Sequence, residues 1–154
     1  MLGRRRALHA MLGVALTCTI AVAHAATDVV VSNAWMRPTV EKQPFAPVYF
    51  DIRSERWRRI VEITSPDAES VVMVEGDATD DRRTKTNFVL DAGKTVRFAP
   101  RGVYVELRGV KRPVKNGDNV PLTLTLRDDK GNAASVKLSA QVRGLSAANP
   151  ADKR

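Results

Sequence analysis

RGVYVELRGVKRPVKNGDNVPLTLTLR, residues 101–127, is the stretch that decides the fold class. Near its start Val103, Val105 and Leu107 alternate with Tyr104, Glu106 and Arg108; near its end Leu122, Leu124 and Leu126 alternate with Thr123, Thr125 and Arg127. Successive side chains of a strand point to opposite faces, so each run reads as a half-buried strand with its aliphatic residues turned to a core. Tyr104, Glu106 and Arg108 are then expected on a solvated outer face. Gly109, Pro113 and Asn116-Gly117-Asp118 supply the backbone freedom, fixed φ and turn-forming side chains of a loop. The two strands are read as a pair joined by that loop.

The same alternation extends to both sides. Residues 29–37 (VVVSNAWMR) read as a first strand, 39–47 as a loop and 47–52 (PVYFDI) as a short strand. Residues 53–57 (RSERW) turn the chain into a strand at 58–64, and Ser65-Pro66-Asp67 ends it. Residues 71–75 (VVMVE) form the next strand, and 76–85 (GDATDDRRTK) a polar loop. Phe88 and Leu90, then Val96 and Phe98, are expected to face inward on two further strands divided by Ala92-Gly93. After the opening stretch, residues 127–132 (RDDKGN) form a hairpin. Ala134, Val136, Leu138, Ala140 and Val142 are the inward set of the last strand. About nine short strands with frequent turn signals and no helical period predict an all-β sandwich or barrel.

The chain has 154 residues, one domain by size, with a formal net charge of +8. Arg4, Arg5 and Arg6 precede an apolar run from Ala7 to Ala23, and Ala23-His24-Ala25 has the small-x-small form of a processing site. Residues 1–25 are therefore read as a secretory signal peptide, 26–144 as the domain and 145–154 as a disordered tail. Cys18 lies within the apolar run after Leu16-Thr17, without the small residues that precede a lipid-attachment cysteine. Processing after Ala25 removes the only Cys and both His, His9 and His24. It leaves 22 basic against 17 acidic residues, a net charge of +5. Export, a monomeric state and an acidic envelope protein or anionic envelope component as partner are the expectations. No aromatic and basic stacking platform for nucleic acid is visible.

The ordered matches through the chain resemble the periplasmic copper chaperones of the PCu(A)C family. They are Ala34-Trp35 with Arg37, Ser65-Pro66 with Ala68, and the series Gly93, Val96, Pro100, Gly102, Leu107, Gly109, Lys111, Pro113, Gly117-Asp118 and Val120-Pro121-Leu122-Thr123-Leu124. The resemblance implies a cupredoxin-like Greek-key β-barrel. It also implies a Cu(I) site made by a His on the strand after the Ser-Pro turn, a Met in the following hairpin and a His-x-Met pair on the strand that opens residues 101–127. Carried over by position, the first His falls on Val74, the pair on Tyr104 and Glu106, and the hairpin Met in the stretch from Arg82 to Lys85. None of these is a soft donor, and Cu(I) prefers thioether, thiolate and imidazole ligands. Met36 and Met73 read as core fillers. No cofactor is expected, and Cu(I) only through an unusual site.

Arg53, Arg56, Arg58 and Arg59 surround Trp57 and form the densest arginine cluster, so Arg56, Trp57, Arg58 and Arg59 are the candidates for partner binding. Arg108, Lys111, Arg112 and Lys115 make a second basic strip. Asp77, Asp80 and Asp81 lack the spacing of a calcium loop. No nucleophile and base pair is visible, so a non-enzymatic binding protein with a lost copper site is the leading expectation. Behind it stand an accessory copper chaperone acting with a ligand-bearing partner and, last, a carboxylate hydrolase using Glu62 and Glu106.

Overall fold

The structure, a computed structural model, describes residues 24–76 and 82–144. Eleven strands follow one another: β1 (His24–Ala25), β2 (Val29–Met36), β3 (Phe45–Ser54), β4 (Arg58–Thr64), β5 (Ala68–Gly76), β6 (Arg83–Lys85), β7 (Phe88–Leu90), β8 (Thr95–Phe98), β9 (Gly102–Val110), β10 (Asn119–Arg127) and β11 (Ala133–Val142). They hydrogen-bond in the order β6-β5-β9-β3-β2-β11-β10-β4-β7, with β8 added to β3 and β1 to β11. Because β6 runs on into β7, the two ends of the sheet are joined by two residues, Thr86 and Asn87, and the wall nearly closes into a barrel.

The interior follows from strand alternation. Ala46, Val48, Phe50 and Ile52 of β3, Val105 and Leu107 of β9, and Val120, Leu122, Leu124 and Leu126 of β10 are all buried in one cluster. Phe98 stacks on Phe50 at 4.5 Å and meets Phe88 edge-on at 5.3 Å, in the offset and T-shaped arrangements aromatic rings favour. Met36 and Met73 belong to this interior, at 0% and 4% exposure, as expected of core fillers.

Several expectations are corrected. β9 and β10 do not pair with each other: β9 lies between β5 and β3, and β10 between β4 and β11. The loop between them crosses from one side of the barrel to the other because Val114 plugs its end. That side chain is 1% exposed, and its backbone exchanges hydrogen bonds with Thr39, whose N–H donates to the Val114 carbonyl and whose Oγ1 accepts from the Val114 N–H, each at 3.0 Å. The polar loop expected at 76–85 contains a strand, β6, which pairs with β5 although it holds no apolar residue. The expected leader ends in β1. The rest of that leader, the tail at 145–154 and residues 77–81, with Asp77, Asp80 and Asp81, lie outside the described residues.

Candidate functional site

Strand register lays out the outer face of the barrel in rows. Trp35 of β2 stands opposite Tyr49 of β3; Tyr104 of β9 stands opposite Val74 of β5, which stands opposite Thr84 of β6. In the adjoining row Glu106 lies between Pro47 and Val72. Beyond it, Arg108 lies between Phe45 and Ser70. The positions to which the resemblance assigns copper ligands thus meet at one place, on strands β5, β6 and β9.

That face is not solvated. Tyr104 is 3% and Glu106 1% exposed, which corrects the expectation drawn from alternation. Alternation was right about direction, since Val105 and Leu107 do point to the core. A second layer, however, covers the outer side. Trp35 and Tyr49 pack at 4.8 Å, and Tyr49 and Tyr104 at 6.3 Å. Arg82 closes the other side, its guanidinium 4.4 Å from the centre of the Phe45 ring.

Glu106 is held by cations. Arg82 Nη1 donates to Glu106 Oε1 at 2.8 Å. Arg108 donates from Nε and Nη2 to Oε2 at 3.4 and 3.3 Å, and the Tyr104 hydroxyl donates to Oε1 at 3.4 Å. Burial, and then the charge of Glu106, push the Tyr104 hydroxyl above its ordinary pKa, so it stays a donor. Burial likewise raises Tyr49. The face therefore already contains a fixed positive charge, the Arg82 guanidinium, bonded to a carboxylate that stands where the resemblance implies a metal ligand. These residues do not fit Cu(I). The oxygens of Glu106 are hard donors taken up by Arg82, Arg108 and Tyr104. Met73 stands opposite Val105 and packs into the core, and Met36 is likewise buried there. Among the described residues no group of three or more His, Cys, Asp or Glu side chains is placed to hold a metal ion.

The arginine cluster divides. Arg58 is not a surface cation: it is 7% exposed and forms a bidentate pair with Asp28, Nε to Oδ2 at 3.0 Å and Nη2 to Oδ1 at 2.9 Å. Arg56 joins the same carboxylate at 3.2 Å while its side chain stays 70% exposed. Bonding to Arg58 first, and to Arg56, holds the Asp28 carboxyl below the usual carboxylate range. Arg59 is exposed and stacks 5.3 Å above Trp57. Of the second strip, Lys111 binds the Pro66 carbonyl and Arg112 binds Asp118. Glu62 and Glu106 are not brought together: Glu62 is exposed on β4 and Glu106 is buried on β9, far apart in the strand order. The sequence reading missed the roles of Asp28, Phe45 and Arg82. An acid just before a strand and an arginine within a polar loop are weak signals until the partners 30 and 24 residues away are known.

Residues 29–142 match the family described as "Putative lipoprotein LpqE-like". The chain belongs to the LpqE-like family. No curated protein matches it. Among solved structures, the apo PCuAC domain from PmoF1 is similar at a TM-score of 0.62 and 21% identity, over 79% of this chain and 98% of that one. The copper-bound PCuAC domain from PmoF2 is similar at 0.62 and 23%, over 79% and 97%. The solution structure of CuI-DR1885 from Deinococcus radiodurans is similar at 0.57 and 21%, over 77% and 80%. At these identities the likeness shows the fold: this LpqE-like chain is a PCuAC-type, cupredoxin-like β-barrel.

Proposed function

We propose that this member of the LpqE-like family is an exported, non-enzymatic binding protein in which an internal pair of Arg82 and Glu106 has replaced the copper site of the PCuAC fold. The observation that carries the reading is the 2.8 Å bond between Arg82 and a Glu106 that is 1% exposed, at the positions where the resemblance implies metal ligands. A protein that fills its metal position with its own cation has no carrier role there. What it retains is a folded barrel with a basic surface, and such surfaces steer acidic partners.

The partner, on this reading, is an acidic component of the cell envelope that meets Arg56, Trp57 and Arg59, with Arg58 as the buried strut behind them. A second reading, favoured by the likeness to a copper-bound PCuAC domain, makes the protein an accessory to copper delivery that docks on a ligand-bearing partner. The test is recovery of envelope components by wild type and by Arg56→Glu/Arg59→Glu at low and moderate salt. Charge attraction is screened over about 8 Å at physiological salt, so the variant should recover less and lose most of its salt dependence. Equal recovery of the same components by both proteins would remove this surface. If recovery by wild type depends on copper loading of the partner, the second reading replaces the first.

A further inference from the structure

One stretch of the barrel wall is open. β1 and β2 both run parallel to β11, with Ala25 opposite Ser135 and Trp35 opposite Gln141. Ten residues of the β1 to β2 segment thus span what six residues of β11 span. The excess leaves the intervening residues unpaired with β11. Part of it is a bulge between Ser32 and Trp35, where Asn33 adopts φ 53° and its side-chain amide donates to Asp51 at 2.8 Å. The result is a cleft of about 440 Å³ lined by residues 29–34 and 136–139. Among the described residues no strand pairs with this edge of β11 from 136 to 140.

The direction of the backbone groups along that edge is fixed by their neighbours. The Ala26 N–H donates to the Ser135 carbonyl at 3.0 Å, so Ser135 presents its backbone to the β1 side. Backbone groups alternate along a strand, and Lys137 and Ser139 therefore present theirs to the cleft. Pro121, which has no N–H, agrees with this. It stands opposite Ser139, and its carbonyl accepts from Ser65 Oγ at 2.8 Å, on the side away from β11. The inward set of β11 also shows the gap, for Val136 and Leu138 are only partly buried while Ala134 and Ala140 are buried.

An unpaired row of N–H and C=O groups is a template for another strand, and proteins blunt such edges by shortness and charge. The other ends of this sheet are blunted in that way: β6 and β7 have three residues each, and β6 carries Arg83 and Lys85. β11 is long, with ten residues, and carries a single charge, Lys137, over its unpaired stretch. In the chain that remains after processing, this edge keeps one bond at the β1 end, from the Ala26 N–H to the Ser135 carbonyl. Val30 beside it is 61% exposed. Lys137 is the one charged residue of the lining; next to it in the chain or by hydrogen bond come Asp28, which precedes Val29 and pairs with Arg56, and Asp51, bonded to Asn33.

We propose that this cleft is a strand-addition site that takes an extended, acidic segment of a partner polypeptide, lying along β11 in the direction β1 takes. Recognition would combine main-chain bonds to Lys137 and Ser139, small apolar contacts with Val30, Val136 and Leu138, and attraction to the Lys137 ammonium. Five residues of edge, 136–140, at about 3.3 Å each, set the length of the segment. The inference deepens the partner half of the function proposed above and rests on it; it does not involve the copper positions.

The test uses a displayed decapeptide library selected on the wild-type chain and counter-selected on Lys137→Pro/Ser139→Pro. Proline there removes two donors that face the cleft without breaking a bond to β10, and the melting temperature reports whether the barrel survives. Selected peptides should be acidic with alternating small apolar residues, and should slow amide exchange at Lys137 and Ser139. They should bind the proline variant about tenfold or more weakly, the equivalent of one or two backbone hydrogen bonds. Lys137→Glu, which leaves the backbone intact, should weaken the same peptides several-fold. Failure to enrich any peptide, or equal binding to all three proteins, overturns the proposal. So does protection of the two amides that rises with protein concentration alone, which would give the cleft to a second copy. Binding lost on reversing Arg56 and Arg59 but kept in the proline variant would leave the partner reading standing and remove the cleft.

Discussion

A carboxylate at 1% exposure persists only while its oxygens are bonded and its charge is answered, and Glu106 meets both conditions through Arg82, Arg108 and Tyr104. The expected cost of breaking the arrangement is asymmetric. Arg82→Met removes the shortest bond and should destabilise the fold by about 2–3 kcal/mol, below the full cost of a broken buried pair because Arg82 is itself 35% exposed. Replacing both partners, as in Arg82→Met/Glu106→Leu, should return stability to within about 1 kcal/mol of wild type, since an apolar pair needs no desolvated charge. Urea denaturation of the two variants and of Glu106→Leu checks this. A single Arg82→Met variant as stable as wild type would show that the guanidinium does not hold the carboxylate. This site was partly legible in the sequence. Alternation gave the direction of Tyr104 and Glu106 but not their cover, because the covering side chains, Trp35, Phe45, Tyr49 and Arg82, come from distant segments.

At the scale of strands, the legible ones were those whose two faces see one environment each. β4 was read with its observed bounds, and the hairpin between β10 and β11 was read from Asp128, Asp129 and Gly131, where Asp128 now accepts bonds from the Lys130 and Asn132 N–H groups. β6 was missed because a three-residue strand of Arg, Thr and Lys carries no apolar period and is defined by its pairing with β5 alone. The pairing of β9 with β10 was misjudged because one buried residue, Val114, turns their connection into a crossing. Arg58 was misplaced for a related reason: Asp28, just ahead of β2, draws the first residue of β4 inward. This link between elements carries a pH signature. The folded-state carboxyl of Asp28 is held below its unfolded value, so its contribution is fully present above the unfolded pKa, near 4, and is lost as the pH falls through the lower folded value. Melting temperature measured from pH 6 downward should therefore fall less steeply for Asp28→Asn than for wild type. Parallel acid limbs would show that the pair with Arg58 contributes nothing to stability.

At the scale of the whole molecule, the barrel and its site have been set by different residues. The PCuAC fold is shared with solved domains at 21–23% identity because its interior needs only apolar side chains of suitable volume at alternating positions. A Cu(I) site has no such tolerance, since Cu(I) demands particular donor atoms. In this chain Val74, Tyr104, Glu106 and Arg82 occupy the outer face of β5, β6 and β9 and make a closed layer of their own. The central claim is that this layer stands in place of a Cu(I) site. Competition between the chain from Ala26 onward and a high-affinity Cu(I) chelator tests it most directly, with Val74→His/Arg82→Met/Tyr104→His/Glu106→Met as the comparison. The wild-type chain should leave the chelator's Cu(I) untouched, and the comparison variant should withdraw it. Tight uptake of one Cu(I) per chain by the wild type would contradict the account.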